Sequence, residues 1–117
     1  MKRGEIWTAA GGKDYAGKPR PVVIVQDDRF DGTDSVTVCA FTTDSTYAPL
    51  FRLPIRPSEG NGLRASCRLM VDKITTVPRA KLGTYVGRLA DADLVRLNRA
   101  IVLFLGIAAP AAGELAE

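Results

Sequence analysis

Up to residue 89 the chain is a succession of short apolar runs, four to seven residues long, cut off by glycine, proline or aspartate; helical spacing begins only beyond it. Runs of that length bounded by turn residues read as strands. The segments 5–9, 21–25, 35–41, 50–55, 66–71, 74–77 and 84–89 qualify. Strands this short are not stable alone and must pair into a shared sheet. Many short strands followed by one helix predict a mainly β fold, a small and strongly bent barrel with a C-terminal helix.

Individual residues sharpen this reading. Pro21-Val22-Val23-Ile24-Val25 is apolar without alternation, which predicts a central strand buried on both faces. Pro19 and Pro21 flank Arg20. Proline fixes its own φ and confines the preceding residue to extended geometry, so Arg20 is held extended at the strand entrance. Pro54 marks segment 50–55 as an edge strand. Leu94, Leu97, Ile101 and Leu105 recur near helical spacing, with Val95 and Val102 widening the stripe. With Asp91 as N-cap, Asp93 in the first turn and Gly106 as C-cap, the helix spans 91–105. Trp7 is expected in the core. One domain of residues 1–107 is expected, followed by a flexible tail over 108–117.

A chain of 117 residues can bury one core. No stretch approaches the roughly 20 apolar residues that span a bilayer, and the first residues show no apolar signal-peptide core; a cytoplasmic protein with no membrane partner is the expectation. Cys39 and Cys67 sit in strand-like surroundings and belong to no CxxC pair, so buried free thiols are expected. With no histidine in the sequence, paired-histidine nuclease mechanisms, histidine triads and histidine-rich metal sites are excluded. No cofactor and no metal are expected.

The net charge of +3 is unevenly spread. Residues 51–89 hold eight basic side chains (Arg52, Arg56, Arg64, Arg68, Lys73, Arg79, Lys81 and Arg88) against Glu59 and Asp72. Residues 27–50 hold five aspartates against Arg29. Such a split can make a positive face for a polyanion, or an ordinary solvated surface.

The order of short signatures resembles the PemK/MazF toxins. They are Lys2-Arg3-Gly4-Glu5-Ile6-Trp7, Arg20-Pro21-Val22-Val23-Ile24-Val25-Gln26, Phe41-Thr42-Thr43, Gly62-Leu63 with Ser66, Asp72-Lys73-Ile74, and Val86-Gly87-Arg88-Leu89 before the helix. The resemblance implies an SH3-like barrel of the MazF/CcdB type. It also implies a metal-independent endoribonuclease that cuts single-stranded RNA, works as a homodimer and is silenced by a MazE-like antitoxin tail lying across the RNA groove. A CcdB-type gyrase poison would use a tryptophan near the chain end, which this sequence lacks. A non-catalytic SH3-like binding module is the remaining alternative.

Three residues are the catalytic candidates. Arg20 matches the family's arginine before Pro-Val, and a guanidinium can grip two phosphate oxygens; the bland alternative is a surface salt bridge. Thr42 matches the family's catalytic Thr or Ser and could donate to a phosphate oxygen; it could equally bond its own backbone. Asp14, in the loop before Arg20, is a general-base candidate that could instead pair with Arg20 or Lys18. RNA-contact candidates are Ser66, Lys73, Arg52, Thr43 and Lys18, with Tyr15 as a stacking platform. Asp72 could read a base edge or pair with Lys73.

Overall fold

The computed structural model describes residues 1–10 and 18–109. Asp14 and Tyr15 lie outside the described residues, as does the expected tail from residue 110 onward. Among the described residues seven strands precede one α-helix: β1 (Glu5–Ala9), β2 (Arg20–Ile24), β3 (Ser35–Thr42), β4 (Arg52–Ile55), β5 (Cys67–Met70), β6 (Thr75–Pro78), β7 (Leu82–Arg88) and α1 (Asp91–Phe104).

All the pairings are antiparallel, and the strands run in the order β4-β5-β3-β2-β1-β7 with β6 joined to β3. β3 is the pivot. Its first half pairs with β6, from Ser35 opposite Pro78 to Val38 opposite Thr75, and its end pairs with β5, Phe41 opposite Leu69 and Thr42 opposite Arg68. A 3-10 turn at Val71–Lys73 separates β5 from β6 and turns the corner between the two partners. The sheet is therefore bent as the short-strand pattern predicts. β4 is an end strand, consistent with Pro54 in its middle.

β4 and β7, the ends of the path, are joined by a loop and not by a ladder. The Arg88 N–H donates to the Gly60 carbonyl at 2.9 Å. Asn61, the one polar side chain buried among the described residues at 2% exposure, builds this loop. Its Oδ1 accepts from the Ser58 N–H at 2.9 Å and the Leu63 N–H at 3.0 Å, while its Nδ2 donates to the Arg56 carbonyl at 2.8 Å. Gly62, at φ +67°, packs against the Val86 carbonyl, and Gly87 packs against Asn61 and Gly60. Only glycine permits both approaches.

Strand alternation divides the core in two. Val23, Cys39 and Phe41 join Ile6, Leu53, Ile55, Leu69 and Leu97 in one cluster. Val22, Ile24, Val36, Val38 and Ala40 join Leu82 and Met70 in the other, with Trp7 packed against it. β2 and β3 are thus buried on both faces, as the unbroken apolar run of β2 requires. Trp7 keeps its indole N–H satisfied by donating to Glu5 Oε1 at 3.0 Å.

α1 lies against β4 and the turn after β5, with Leu97 and Ala100 fully seated. Burying a leucine side chain like Leu97 stabilises by about 1.5–3 kcal/mol. The N-cap is Ala90, not Asp91, and carries no side-chain cap bond. Asp91 is the first helical residue, where its charge favours the helix dipole and accepts from Arg88 Nη1 at 3.1 Å. At the other end the Gly106 N–H donates to Leu103 and the Ile107 N–H to Val102, the double closure expected of a glycine just past a helix. Among the described residues no helix is long and apolar enough to cross a membrane.

Candidate active site

The β2–β3 ladder runs from Ile24 opposite Val38 to Val22 opposite Ala40 and stops there. The next residue of β2 is Pro21, which has no N–H to donate. Continuing the register sets Arg20 opposite Thr42, and both line a cleft of about 820 Å³. Directly opposed residues of an antiparallel pair share a face, so the two side chains issue from the same side of the sheet. On its other flank Thr42 stands opposite Arg68 of β5. A row of Arg20, Thr42 and Arg68 thus crosses three neighbouring strands.

Local bonds fix this row. The Thr42 hydroxyl oxygen accepts from the Asp44 N–H at 3.1 Å, the backbone bond expected of a strand-end threonine, and this leaves the hydroxyl proton free to donate elsewhere. Arg68 Nη1 donates to the Asp44 carbonyl at 3.4 Å. Asp44 Oδ1 accepts from both the N–H and the hydroxyl of Thr46, at 2.9 and 2.7 Å. Those bonds, the hydroxyl's foremost, hold the Asp44 carboxyl below the usual carboxylate range, so it is a poor proton acceptor. The turn after Thr42 is built by its own side chains.

The rest of the cleft wall comes from residues far away in sequence. Gly62, Leu63, Arg64 and Ala65 follow the Asn61 loop, and Thr8, Thr84 and Val86 come from β1 and β7. The Thr8 hydroxyl accepts from the Thr84 N–H at 2.9 Å. The described lining carries two guanidinium groups, Arg20 and Arg64, and no carboxylate. It also offers the apolar surfaces of Phe41, Leu63, Cys67 and Val86. That combination suits a polyanion with exposed rings, held by charge and by stacking. The match to a known family model, for PemK-like, MazF-like toxins of type II toxin–antitoxin systems, covers residues 2–105.

The chain belongs to the PemK-like, MazF-like toxin family.

A probable endoribonuclease MazF from Mycolicibacterium smegmatis is 58% identical over 108 residues, spanning 92% of this chain and 99% of that protein. Among solved structures, an endoribonuclease in complex with its cognate antitoxin, from a mycobacterial species, superposes with a TM-score of 0.77 at 25% identity, covering 94% of this chain and 99% of that one. A MazF toxin from Mycobacterium tuberculosis superposes with a TM-score of 0.72 at 26% identity, covering 87% and 96%. The bent sheet with one C-terminal helix is the MazF fold.

The structure sorts the sequence candidates. Arg20, Thr42 and Thr43 meet in the cleft of this MazF-like chain. Lys18 is exposed beside the lining residue Pro19, and Ser66 is exposed between the lining residues Ala65 and Cys67. Lys73 is exposed at the end of the turn after β5, away from the lining. Asp72 pairs with Arg52 and not with Lys73: Arg52 Nε and Nη2 donate to its two oxygens at 2.7 and 2.9 Å. Only 14% and 22% of these side chains are exposed, so each is engaged by the other. Arg64, Thr8 and Thr84 went unselected in the sequence. Arg64 stands beside the quoted Gly62-Leu63 signature, which was the available signal; nothing local marks the two threonines.

Proposed function

We propose that this toxin is an endoribonuclease that cuts single-stranded RNA, messenger RNA foremost, without a metal ion. The observation carrying this reading is that Arg20 and Thr42 line one cleft whose described lining is cationic and free of carboxylates. The 58% identity to a probable endoribonuclease MazF supports it.

In the proposed reaction the ribose 2′-oxygen attacks the adjacent phosphorus, and its proton passes to a base. The bond from phosphorus to the 5′-oxygen breaks, and that oxygen takes up a proton. The products are a 2′,3′-cyclic phosphate and a 5′-hydroxyl. Negative charge grows on the non-bridging oxygens, where a fixed guanidinium gives its largest benefit. Arg20 supplies that charge from a backbone stiffened by two prolines. Thr42, its oxygen already engaged by Asp44 N–H, donates its proton to a phosphate oxygen. Asp14 is proposed as the base.

The toxin is proposed to act as a homodimer in the cytoplasm and to be silenced by an acidic antitoxin tail that folds across the cleft. Phe104, Leu105 and Ile107, which are 47, 60 and 71% exposed at the end of α1, support a second copy. The solved antitoxin complex of a relative supports the inhibitor. The test is incubation with a long single-stranded RNA in EDTA, followed by mapping of the fragment ends. Discrete cuts leaving a 5′-hydroxyl are expected. No cuts by folded protein on several RNAs would overturn the nuclease reading, and cutting that requires added magnesium would overturn its metal independence.

A further inference from the structure

The basic residues of the second half of the chain are largely engaged within the fold. Arg52 is held by Asp72, Arg68 by the Asp44 carbonyl, Arg79 by Asp31 and Thr33, Arg88 by Asp91 and Arg96 by Asp93. Arg64 differs. It is exposed, lines the cleft, and makes no hydrogen bond or ion pair with the described residues. Its backbone nonetheless is not loose. The chain enters its loop through Asn61 and Gly62, and Leu63 N–H is pinned by Asn61 Oδ1 at 3.0 Å. A long cation on an anchored base, lining a cleft with no acid in its described lining, lacks a counter-ion among the described residues.

We propose that Arg64 binds a second phosphate of the RNA, next to the one held at Arg20, and contributes to substrate binding and not to the chemical step. This rests on the nuclease reading of the same cleft. Arg20 and Arg64 line that cleft from different elements, one from the start of β2 and the other from the loop after Asn61. A strand lying between them presents successive phosphates to both. A contact made equally to substrate and transition state raises affinity without changing the rate of the bound complex.

The test uses an RNA carrying a single 2′-deoxy nucleotide at the cut site, which cannot be cleaved, and measures binding by fluorescence anisotropy across salt concentrations. Each phosphate contact contributes about 0.7 to the slope of log affinity against log salt for single strands. Arg64→Gln is expected to lower that slope by about 0.7. It should weaken binding at low salt by roughly 1.5- to fivefold, the range of an exposed charge pair. On cleavable RNA, KM should rise by a similar factor with kcat unchanged. Arg64→Lys should restore the slope, because a point charge still neutralises a phosphate. Arg29→Gln, which removes an exposed arginine paired with Asp27, serves as the surface-charge control and should leave the slope intact. An unchanged slope and KM in Arg64→Gln would overturn the proposal, as would a fall in kcat at constant KM. Absence of cleavage by the unsubstituted protein would instead count against the nuclease reading; the binding slopes of Arg64→Gln and Arg29→Gln would still decide the role of Arg64.

Discussion

Gly87 of β7 lies so close to Asn61 that a β-carbon on it would sit 2.5 Å from the Asn61 carbonyl carbon and 2.6 Å from the Gly60 oxygen. Both are backbone atoms, so no side chain can swing aside. This contact is the seam where the bent sheet closes, and the 62–65 wall of the cleft hangs from it.

Gly87→Ala is therefore expected to destabilise the protein by about 2 kcal/mol or more, as overpacking of a rigid site does. Asn61→Ala should cost about 1–3 kcal/mol, because it removes three part-buried hydrogen bonds to the backbone of Ser58, Leu63 and Arg56. Urea unfolding of both variants checks this. Wild-type midpoints would show that the seam does not hold the loop.

The Arg52–Asp72 pair gives a pH signature. The hydrogen bond from the Arg52 guanidinium, more than any other influence, holds the Asp72 carboxyl below its ordinary value of 3.8. Its depressed value means the folded state binds the proton less readily than the unfolded chain does. The pair's stabilisation is thus fully present above 3.8 and is lost as pH falls through the depressed folded value. Asp72→Asn should cost about 1–3 kcal/mol at neutral pH and flatten the loss of stability in acid. Parallel urea titrations from neutral pH to below the ordinary carboxylate value test it; identical acid profiles for variant and wild type would contradict it.

The two thiols should separate chemically. Burial pushes Cys39 up to about 12, and it also raises Cys67, which lies at the cleft wall. Cys39 is fully buried and Cys67 only half-buried. A disulfide reagent is expected to label Cys67 slowly in the folded protein and Cys39 only on unfolding. Bound uncleavable RNA should slow the labelling of Cys67. Equal labelling of both thiols would contradict the burial of Cys39, and no protection of Cys67 by RNA would place the RNA outside this cleft.

Elements with a strong local signature were legible in the sequence. The unbroken apolar run of β2, the proline-flanked Arg20 and the helical stripe after residue 90 each carry their own pattern, and strand ends moved by no more than about two residues. What escaped depends on distant contacts. Asp72 sits next to Lys73 in sequence, yet β4–β5 register brings Arg52 opposite Met70, two residues before it. Ala90 caps α1 although Asp91 has the better side chain, because Leu89 is buried in the core and its N–H donates to the Gly4 carbonyl at 2.9 Å, which sets where the helix starts. Asn61 looked like any polar loop residue; only the approach of β7 buries it. Arg64 reaches the cleft solely because that loop folds back over the sheet.

Arg20 is proposed to stabilise the charge that grows on the cleaved phosphate. The most direct test is single-turnover cleavage of one mapped RNA site by Arg20→Ala and Arg20→Lys, with melting curves measured alongside. Arg20→Ala is expected to lose at least about 100-fold in rate at unchanged melting temperature, and Arg20→Lys to recover only part of it, since an ammonium lacks the two-pronged grip. Near wild-type cleavage by a folded Arg20→Ala protein would contradict it.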